Sequence, residues 1–183
     1  MVLLINFTSF PVIETKHLLL REITHDDTND MFEMRRDPRM YEYLNVKVDE
    51  NTEETKTYID KMNRGIDERK WIIWAIEHKE TNKLIGTICI WNVDKDKKSG
   101  ELGYGIIPDY QGKGLMKESL VNVIKYGFVE MNLKRLEAYT EEHNERSIKL
   151  LESCDFIEVS RVDEEGDLEN QVFRMVVFRL LAE

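Results

Sequence analysis

The chain has 183 residues, and its 36 acidic and 26 basic side chains give a formal net charge of -10 at pH 7. The length corresponds to one domain, residues 1–183, at roughly 150 residues per domain. The acidic balance excludes a broadly basic surface for nucleic acids, and no apolar run reaches the ~20 residues of a membrane-spanning helix.

The first third of the chain is predicted to contain one strand and two helices. Residues 17–23 alternate apolar side chains as a strand does. A helix is predicted from residue 26 or 27 to just before Pro38, because the residue that precedes a proline disfavours the helical conformation. A second helix is predicted from about residue 51 to about residue 65.

The middle of the chain is typical of three consecutive antiparallel strands. Trp71–Glu77 is a nearly continuous apolar run, which indicates a strand buried on both faces. A turn at 79–83 leads to a returning strand over Leu84–Val93, and a third strand covers Gly100–Ile107.

The last part of the chain alternates strands and helices. Apolar residues recur with a helical period from Gly114 to Met131. The remaining predicted elements are a strand at 136–140, a helix at 144–154, strands at 156–162 and 172–181, and an acidic turn over Asp163–Asn170. The order predicts a single-domain α/β (α+β) fold with a mixed, mostly antiparallel sheet of about seven strands flanked by about four helices.

The positions of the cysteines and histidines indicate the redox environment of the protein and whether it has a metal site. The two cysteines, Cys89 and Cys154, lie in apolar stretches, which favours reduced core thiols and a cytoplasmic location. The four histidines have no metal-ligand spacing, so no metal site is predicted.

The segment Tyr110–Lys117 lies between a predicted strand and a predicted helix. Gly112 and Gly114 allow a tight turn and close approach of a ligand, and the following helix N-terminus offers unpaired N–H groups to a phosphate. Lys113 and Lys117 add positive charge. An ordinary glycine-containing connection explains the spacing equally well. The Walker pattern and the dinucleotide fingerprint are both absent.

Four segments together resemble the GNAT superfamily of acetyl-CoA-dependent N-acetyltransferases. Gln111–Met116 is similar to the family's Gln/Arg-x-x-Gly-x-Gly/Ala loop, and Gly100–Asp109 is similar to its fourth strand. Asn144–Phe156 resembles the segment in which an asparagine precedes a helix that ends before a Gly-Phe pair. Glu14–Arg21 resembles the opening strand of the Rim-type branch, which acetylates ribosomal-protein N-termini.

The resemblance implies acetyl-CoA as cofactor and a strand that splays from its neighbour to pair with the pantetheine arm. Asn144 is equally well explained as a helix N-cap. Met116 and Asp155 depart from the family's small residue and glycine, and Asp tolerates the left-handed conformation that this glycine adopts. The implied cofactor-binding residues are Ile106, Ile107, Gln111, Gly112, Lys113, Gly114, Leu115, Met116 and Asn144.

The chemistry requires a general base or a water chain for the amine and benefits from a proton donor for the departing thiolate. Glu101 is the candidate base, with a solvated strand residue or an ammonium anchor as alternatives. The family's usual tyrosine acid is replaced by Leu151, and the Rim-type branch implies Ser147 instead, unless Ser147 serves only in capping. Tyr104 and Tyr139 are substitutes.

The sequence therefore predicts an N-acetyltransferase that acts on a primary amine, namely a protein N-terminal α-amine such as that of a basic ribosomal protein. The alternatives are a small-molecule acceptor (a polyamine, an amino acid or an antibiotic) and a non-catalytic coenzyme A-binding module. The resemblance implies a homodimer or higher homo-oligomer, and neither a nucleic-acid nor a membrane partner is predicted.

Overall fold

The computed structural model describes residues 5, 7–44, 46–165 and 172–182. Its four α-helices are α1 Thr28–Arg35, α2 Thr52–Asp67, α3 Leu115–Val129 and α4 Glu145–Glu152. Its eight strands are β1 Ile13–Glu14, β2 Leu18–Arg21, β3 Ile72–His78, β4 Lys83–Asp94, β5 Ser99–Ile106, β6 Arg135–Glu141, β7 Ile157–Glu165 and β8 Val172–Leu181. No helix of the described ranges is long and apolar enough to cross a membrane.

The strands form one sheet in the order β1-β2-β3-β4-β5-β6-β8-β7. Only the β5–β6 pair is parallel, and α3 makes the crossover between these strands. The predicted mixed, mostly antiparallel sheet flanked by four helices is confirmed. The additional strand is β1, whose two residues pair with Leu19 and Leu20 and are too few to show an alternating pattern in the sequence.

Each face of the sheet packs against two helices, because β3 is apolar on both sides. Ile72, Trp74 and Ile76 join the α3–α4 side of the core, whereas Ile73 and Ala75 join the α1–α2 side. Alternate residues of a strand point to opposite faces, so the continuous apolar run predicts this two-sided burial correctly.

Several predicted boundaries move by a few residues. The first predicted strand shortens to Leu18–Arg21, and α2 continues two residues beyond Gly65 to Asp67. The predicted acidic turn is wrong in part, because Asp163–Glu165 continue strand β7 by pairing with β8; residues 166–170 lie outside the described residues. Asp155 adopts the expected left-handed conformation, with φ 65°.

Strand β5 separates from β6 halfway along its length. The two strands pair only over Ser99–Leu102 and Arg135–Ala138, whereas β4 pairs with β5 as far as Ile106 and β6 pairs with β8 as far as Glu141. The second half of β5 therefore leaves backbone groups without a strand partner on its β6 side, as the resemblance implied.

Candidate active site

A cleft with a volume of about 880 Å³ opens where β5 and β6 separate. It is bordered by the loop before α3, the first turn of α4 and the segment between α1 and α2. The predicted site residues that line it are Glu101, Ile106, Gln111, Gly112, Gly114, Leu115, Met116, Asn144 and Ser147. The fold thus brings nine of the eleven predicted residues to one cavity.

The loop before α3 presents a row of unpaired donors. Gly112 and Gly114 have φ values of 72° and 78°, and an added Cβ at either position would meet no atom within 4 Å. The backbone N–H groups of residues 112–117 make no hydrogen bond within the described part of the chain. Because these groups lie at the positive end of the fifteen-residue helix α3, the loop fits a pyrophosphate.

Two predicted cofactor residues point elsewhere. The N–H of Ile107 donates to the carbonyl of Ile85 at 2.9 Å, and its side chain packs against the apolar core on both faces of the sheet. The Lys113 Nζ lies 5.0 Å from the centre of the Tyr110 ring. Neither side chain lines the cleft, so Lys113 offers it a backbone N–H and a nearby positive charge.

The Gln111 side chain ties the splayed strand to α4. Its Nε2 donates to the Ile106 carbonyl at 3.2 Å, while its Oε1 accepts a hydrogen bond from Arg146. The sequence analysis does not name Arg146, although a cation in the first turn of a helix is unfavourable toward the helix dipole and could have drawn attention to it. Together with Lys117 and Lys149, Arg146 makes this end of the cleft basic.

Glu101 lies near the opposite end of the cleft. It is five residues before Ile106 on β5, or about 17 Å at the usual strand rise. It shares a face of β5 with Gly103 and Gly105, while Tyr104 lies on the other face, because side chains alternate along a strand. Glu101 and the Tyr104 side chain, which contacts Ser147 of α4, therefore lie on opposite faces of β5.

Glu101 is half-buried and has no cationic partner among the described residues. Its Oε2 accepts only a long hydrogen bond of 3.4 Å from Asn92. Burial raises the pKa of Glu101, and the negative charges of Glu164 and Glu137 add to this effect, whereas the Asn92 contact partly offsets it. A carboxylate with a raised pKa is suited to accept a proton near neutral pH.

On the other face of β5, the Tyr104 hydroxyl and the Ser147 Oγ are 2.8 Å apart. Burial raises the pKa of Tyr104, although the hydrogen bond to Ser147 opposes the shift. Asn144 Oδ1 accepts from the Ser147 N–H at 3.2 Å, which is the N-cap role expected for Asn144. Leu151 is fully buried in the core and takes no part in the cleft.

The segment between α1 and α2 forms another wall of the cleft. We call this segment the strap, and it comprises the described residues 36–44 and 46–48. Its side chains that line the cleft are Arg39, Met40, Glu42, Tyr43 and Leu44. Trp91, which pairs with Glu101 across β4 and β5, and Tyr139 add aromatic surface. No local sequence motif marks these residues.

Three consecutive residues at the end of β6 bring possible metal ligands together. The ligand atoms of Glu141, Glu142 and His143 lie within 4.8 Å of one another. The His143 Nδ1 lies 2.9 Å from Glu141 Oε1, and this interaction together with the charge of Glu141 raises the pKa of His143. An ion pair accounts for the cluster.

The chain is similar to acetyltransferases along most of its length. A model of the acetyltransferase (GNAT) domain matches residues 17–157. The uncharacterized N-acetyltransferase YoaA of Bacillus subtilis (strain 168) is 32% identical over 142 residues, which cover 78% of this chain and 80% of the relative. The spermidine N(1)-acetyltransferase of Vibrio cholerae is 24% identical over 148 residues, 81% of this chain and 83% of the relative.

Solved structures share the fold. The crystal structure of the ribosomal-protein-S5-alanine acetyltransferase from Vibrio fischeri superimposes with a TM-score of 0.82 at 20% identity, over 93% of this chain and 96% of that chain. The family match over most of the chain and the phosphate-binding geometry of the loop agree. The chain belongs to the GNAT family of acetyltransferases and is an N-acetyltransferase that uses acetyl-CoA.

Proposed function

We propose that the enzyme acetylates the α-amine of a protein N-terminus by direct attack in a ternary complex, with Glu101 as the base and Ser147 as the proton donor. The observation that carries this proposal is the arrangement around β5. A half-buried carboxylate without a cationic partner lies on one face, and a hydrogen-bonded hydroxyl pair lies on the other.

Acetyl-CoA, when bound, supplies an activated thioester. The unpaired N–H groups of residues 112–117 and the cation of Arg146 hold its phosphates, while the free edge of β5 binds its extended arm. Lys113 contributes its backbone N–H and a nearby positive charge, and Ile107 supports the strand. Asn144 orients the first turn of α4 and hence Ser147.

Glu101 first pairs with the incoming ammonium group and then takes the proton that the nitrogen must lose. The C–N bond forms as the C–S bond breaks, and Ser147 donates a proton to the departing sulfur. Tyr104 donates to Ser147 in turn, because the two hydroxyls are already hydrogen-bonded. Glu101 accepts the first of the two protons that the ammonium nitrogen loses, and solvent accepts the second. Solvent also restores the proton that the Tyr104–Ser147 pair gives to the sulfur.

The acceptor side of the cleft favours a peptide. The exposed apolar side chains Leu44 and Trp91, 48% and 44% exposed, lie at the cleft and offer contact area beyond one amine. The acidic residues Glu42, Glu101 and Glu164 favour a cationic acceptor. Likeness to the ribosomal-protein-S5-alanine acetyltransferase supports this choice, whereas the spermidine acetyltransferase relative supports a polyamine.

A panel of acceptors tests the proposal. Basic peptides with free N-termini, the same peptides with blocked N-termini, spermidine and an aminoglycoside would be compared by thiol release from acetyl-CoA. We expect the free peptides to have the highest kcat/KM. Faster turnover of spermidine would establish the small-molecule alternative, and acetyl-CoA binding without turnover of any amine would establish a non-catalytic module.

We also propose that the protein is a cytoplasmic homodimer that associates through strand β7. This strand forms one edge of the sheet, and all nine of its residues are exposed. An exposed edge strand presents unpaired backbone groups that a second strand can pair with. The two free cysteines support a reducing location.

A further inference from the structure

The two ends of the strap are joined by an ion pair. Arg35 is the last residue of α1, and Asp49 lies just before the N-cap of α2. The Arg35 Nε donates to Asp49 Oδ2 at 2.8 Å, and the Arg35 Nη2 donates to Asp49 Oδ1 at 2.9 Å. The Asp49 N–H also donates to the Arg35 carbonyl at 3.1 Å. Three hydrogen bonds therefore close the base of the strap.

The Arg35–Asp49 pair is buried, and the side chains of Thr55 and Tyr58 contact it. The Asp49 side chain is 6% exposed, and its Oδ2 accepts a further hydrogen bond from the Thr55 hydroxyl at 2.7 Å. The Arg35 guanidinium lies 3.7 Å above the Tyr58 ring. Burial opposes the charge of Arg35, but hydrogen bonding and the charge of Asp49 outweigh it and raise the pKa of Arg35. Arg35 therefore remains charged.

The strap reaches from this pair to the strand that borders the cleft. An ideal Cβ built on Gly105 of β5 would lie 3.2 Å from the Met40 Cε, so the absence of a side chain at Gly105 leaves the space that Met40 fills. Met40 thus rests on β5, while Arg39, Glu42 and Tyr43 of the strap line the cleft. The Arg35–Asp49 pair at the base and the contact of Met40 with Gly105 on β5 therefore fix the position of the strap.

We propose that Arg35 and Asp49 are positioning residues for the amine acceptor, since they hold the strap at the distance from β5 that the acceptor requires. A free segment must lose conformational entropy when a ligand orders it, and the ion pair removes that cost in advance. This inference rests on the proposed function in one respect, that the acceptor binds against the strap.

The test compares Asp49→Asn, Arg35→Lys and Thr55→Val with the wild-type enzyme. We expect the KM for the amine to rise about tenfold in Asp49→Asn and Arg35→Lys and less in Thr55→Val, because each weakens strap ordering. The KM for acetyl-CoA and the kcat at saturating amine should stay within about a factor of three. An unchanged amine KM in folded Asp49→Asn would overturn the proposal.

Asp27→Asn is the matched control. The Asp27 side chain is also 6% exposed and is bound by two nitrogens of Arg21, but it lines no part of the cleft. Asp27→Asn should lower the melting temperature as Asp49→Asn does and leave the amine KM unchanged. A similar rise in amine KM in both variants would mean that general destabilisation explains the effect.

A second measurement separates this inference from the proposed function. Hydrogen exchange of residues 36–44 should be faster in Asp49→Asn than in the wild type, whereas Asp27→Asn should leave it unchanged. If the wild type acetylated no amine, the proposed function would fail, and the exchange experiment would still decide whether the ion pair orders the strap. If Asp49→Asn does not fold, Arg35→Lys and Thr55→Val carry both measurements.

Discussion

The Tyr104 hydroxyl lies 2.8 Å from the Ser147 Oγ, although the two residues are 43 positions apart. Tyr104 is on β5 and Ser147 is in the first turn of α4, so this contact joins the two elements that form one side of the cleft. The Tyr104 hydroxyl therefore supports the Ser147 hydroxyl, and both residues line the cavity.

Ser147→Ala is expected to lower kcat by about 100-fold, the low end of general acid catalysis, because a thiolate departs more readily than most leaving groups. Tyr104→Phe should have a smaller effect, since Ser147 keeps its own proton. Steady-state thiol release measures both. Ser153→Ala is the control, because the Ser153 hydroxyl lies at the far end of α4, where it contacts the Leu150 carbonyl and Cys154 Sγ. Full activity of Ser147→Ala would exclude it as the proton donor.

Glu101 should govern the acidic limb of the pH dependence of kcat/KM. The base must be ionised, and its raised pKa places the limb above the usual 4.5 of a glutamate. Glu101→Gln should remove this limb and lower kcat. Glu137→Gln removes a neighbouring negative charge that raises the Glu101 pKa, so it should move the limb to lower pH. A limb unaffected by either variant would contradict the assignment.

Gly114→Ala is expected to weaken binding of coenzyme A about tenfold. The left-handed backbone, with φ 78°, costs a residue with a Cβ about 1–2 kcal/mol, and the new methyl group would project into the open space beside the loop. Isothermal titration measures the Kd. Asn82→Ala provides the control, because Asn82 has φ 52° in the β3–β4 turn away from the cleft. Equal affinities in the two variants would exclude a specific role for Gly114.

Glu118 should make stability depend on pH at the acidic end. Burial opposes its ionisation, but hydrogen bonds to the N–H and ring of His17 outweigh this and lower the Glu118 pKa to about 2. Because the folded-state pKa lies below the unfolded value of 4.5, the stabilisation is present above about pH 4.5 and is lost as the pH falls toward 2.

Thermal unfolding of Glu118→Gln checks this prediction. At pH 7 the variant should melt about 2–4 °C below the wild type, which corresponds to ~1 kcal/mol in a chain of this size. The difference should vanish near pH 2. Glu130 is exposed at the far end of α3, so Glu130→Gln should have the melting temperature of the wild type at every pH. A constant difference at all pH values would argue against the linkage.

Replacing Ile157 by Lys should convert the proposed dimer into a monomer, because it places a charge beside the exposed apolar residues Val159 and Val162 of the edge strand β7. Light scattering would report one copy of 21.7 kDa in place of two. Val129→Lys is the control, since Val129 at the end of α3 is 64% exposed, as is Ile157. A monomeric wild type, or a dimer that persists in Ile157→Lys, would overturn this mode of association.

Most of the fold could be predicted because its determinants are local. The apolar run at Trp71–Glu77 predicts a strand buried on both faces, and the period after Gly114 predicts α3. Asn51 and Asn144 mark helix starts because their side chains cap nearby N–H groups. Strand β1 was missed because two residues hold no periodic pattern.

The glycine loop is the part of the site that the sequence by itself determined. Left-handed glycines and a helix N-terminus form a candidate phosphate-binding surface from consecutive residues. The spacing indicates this chemistry, and the family resemblance separates it from an ordinary connection. The resemblance, rather than the glycine spacing, implied Ile107 and Lys113 through their backbone groups, and neither side chain lines the cleft.

Only the tertiary structure decided which distant groups meet. The contacts of Tyr104 with Ser147, Gln111 with Arg146 and Arg35 with Asp49 join different elements, and no spacing in the chain encodes them. Glu101 has no cationic partner among the described residues because of strand register and burial, not because of its neighbours in sequence. Local hydrogen bonding and periodicity are written in consecutive residues, whereas the pairing of side chains across a cleft depends on how the sheet and helices pack.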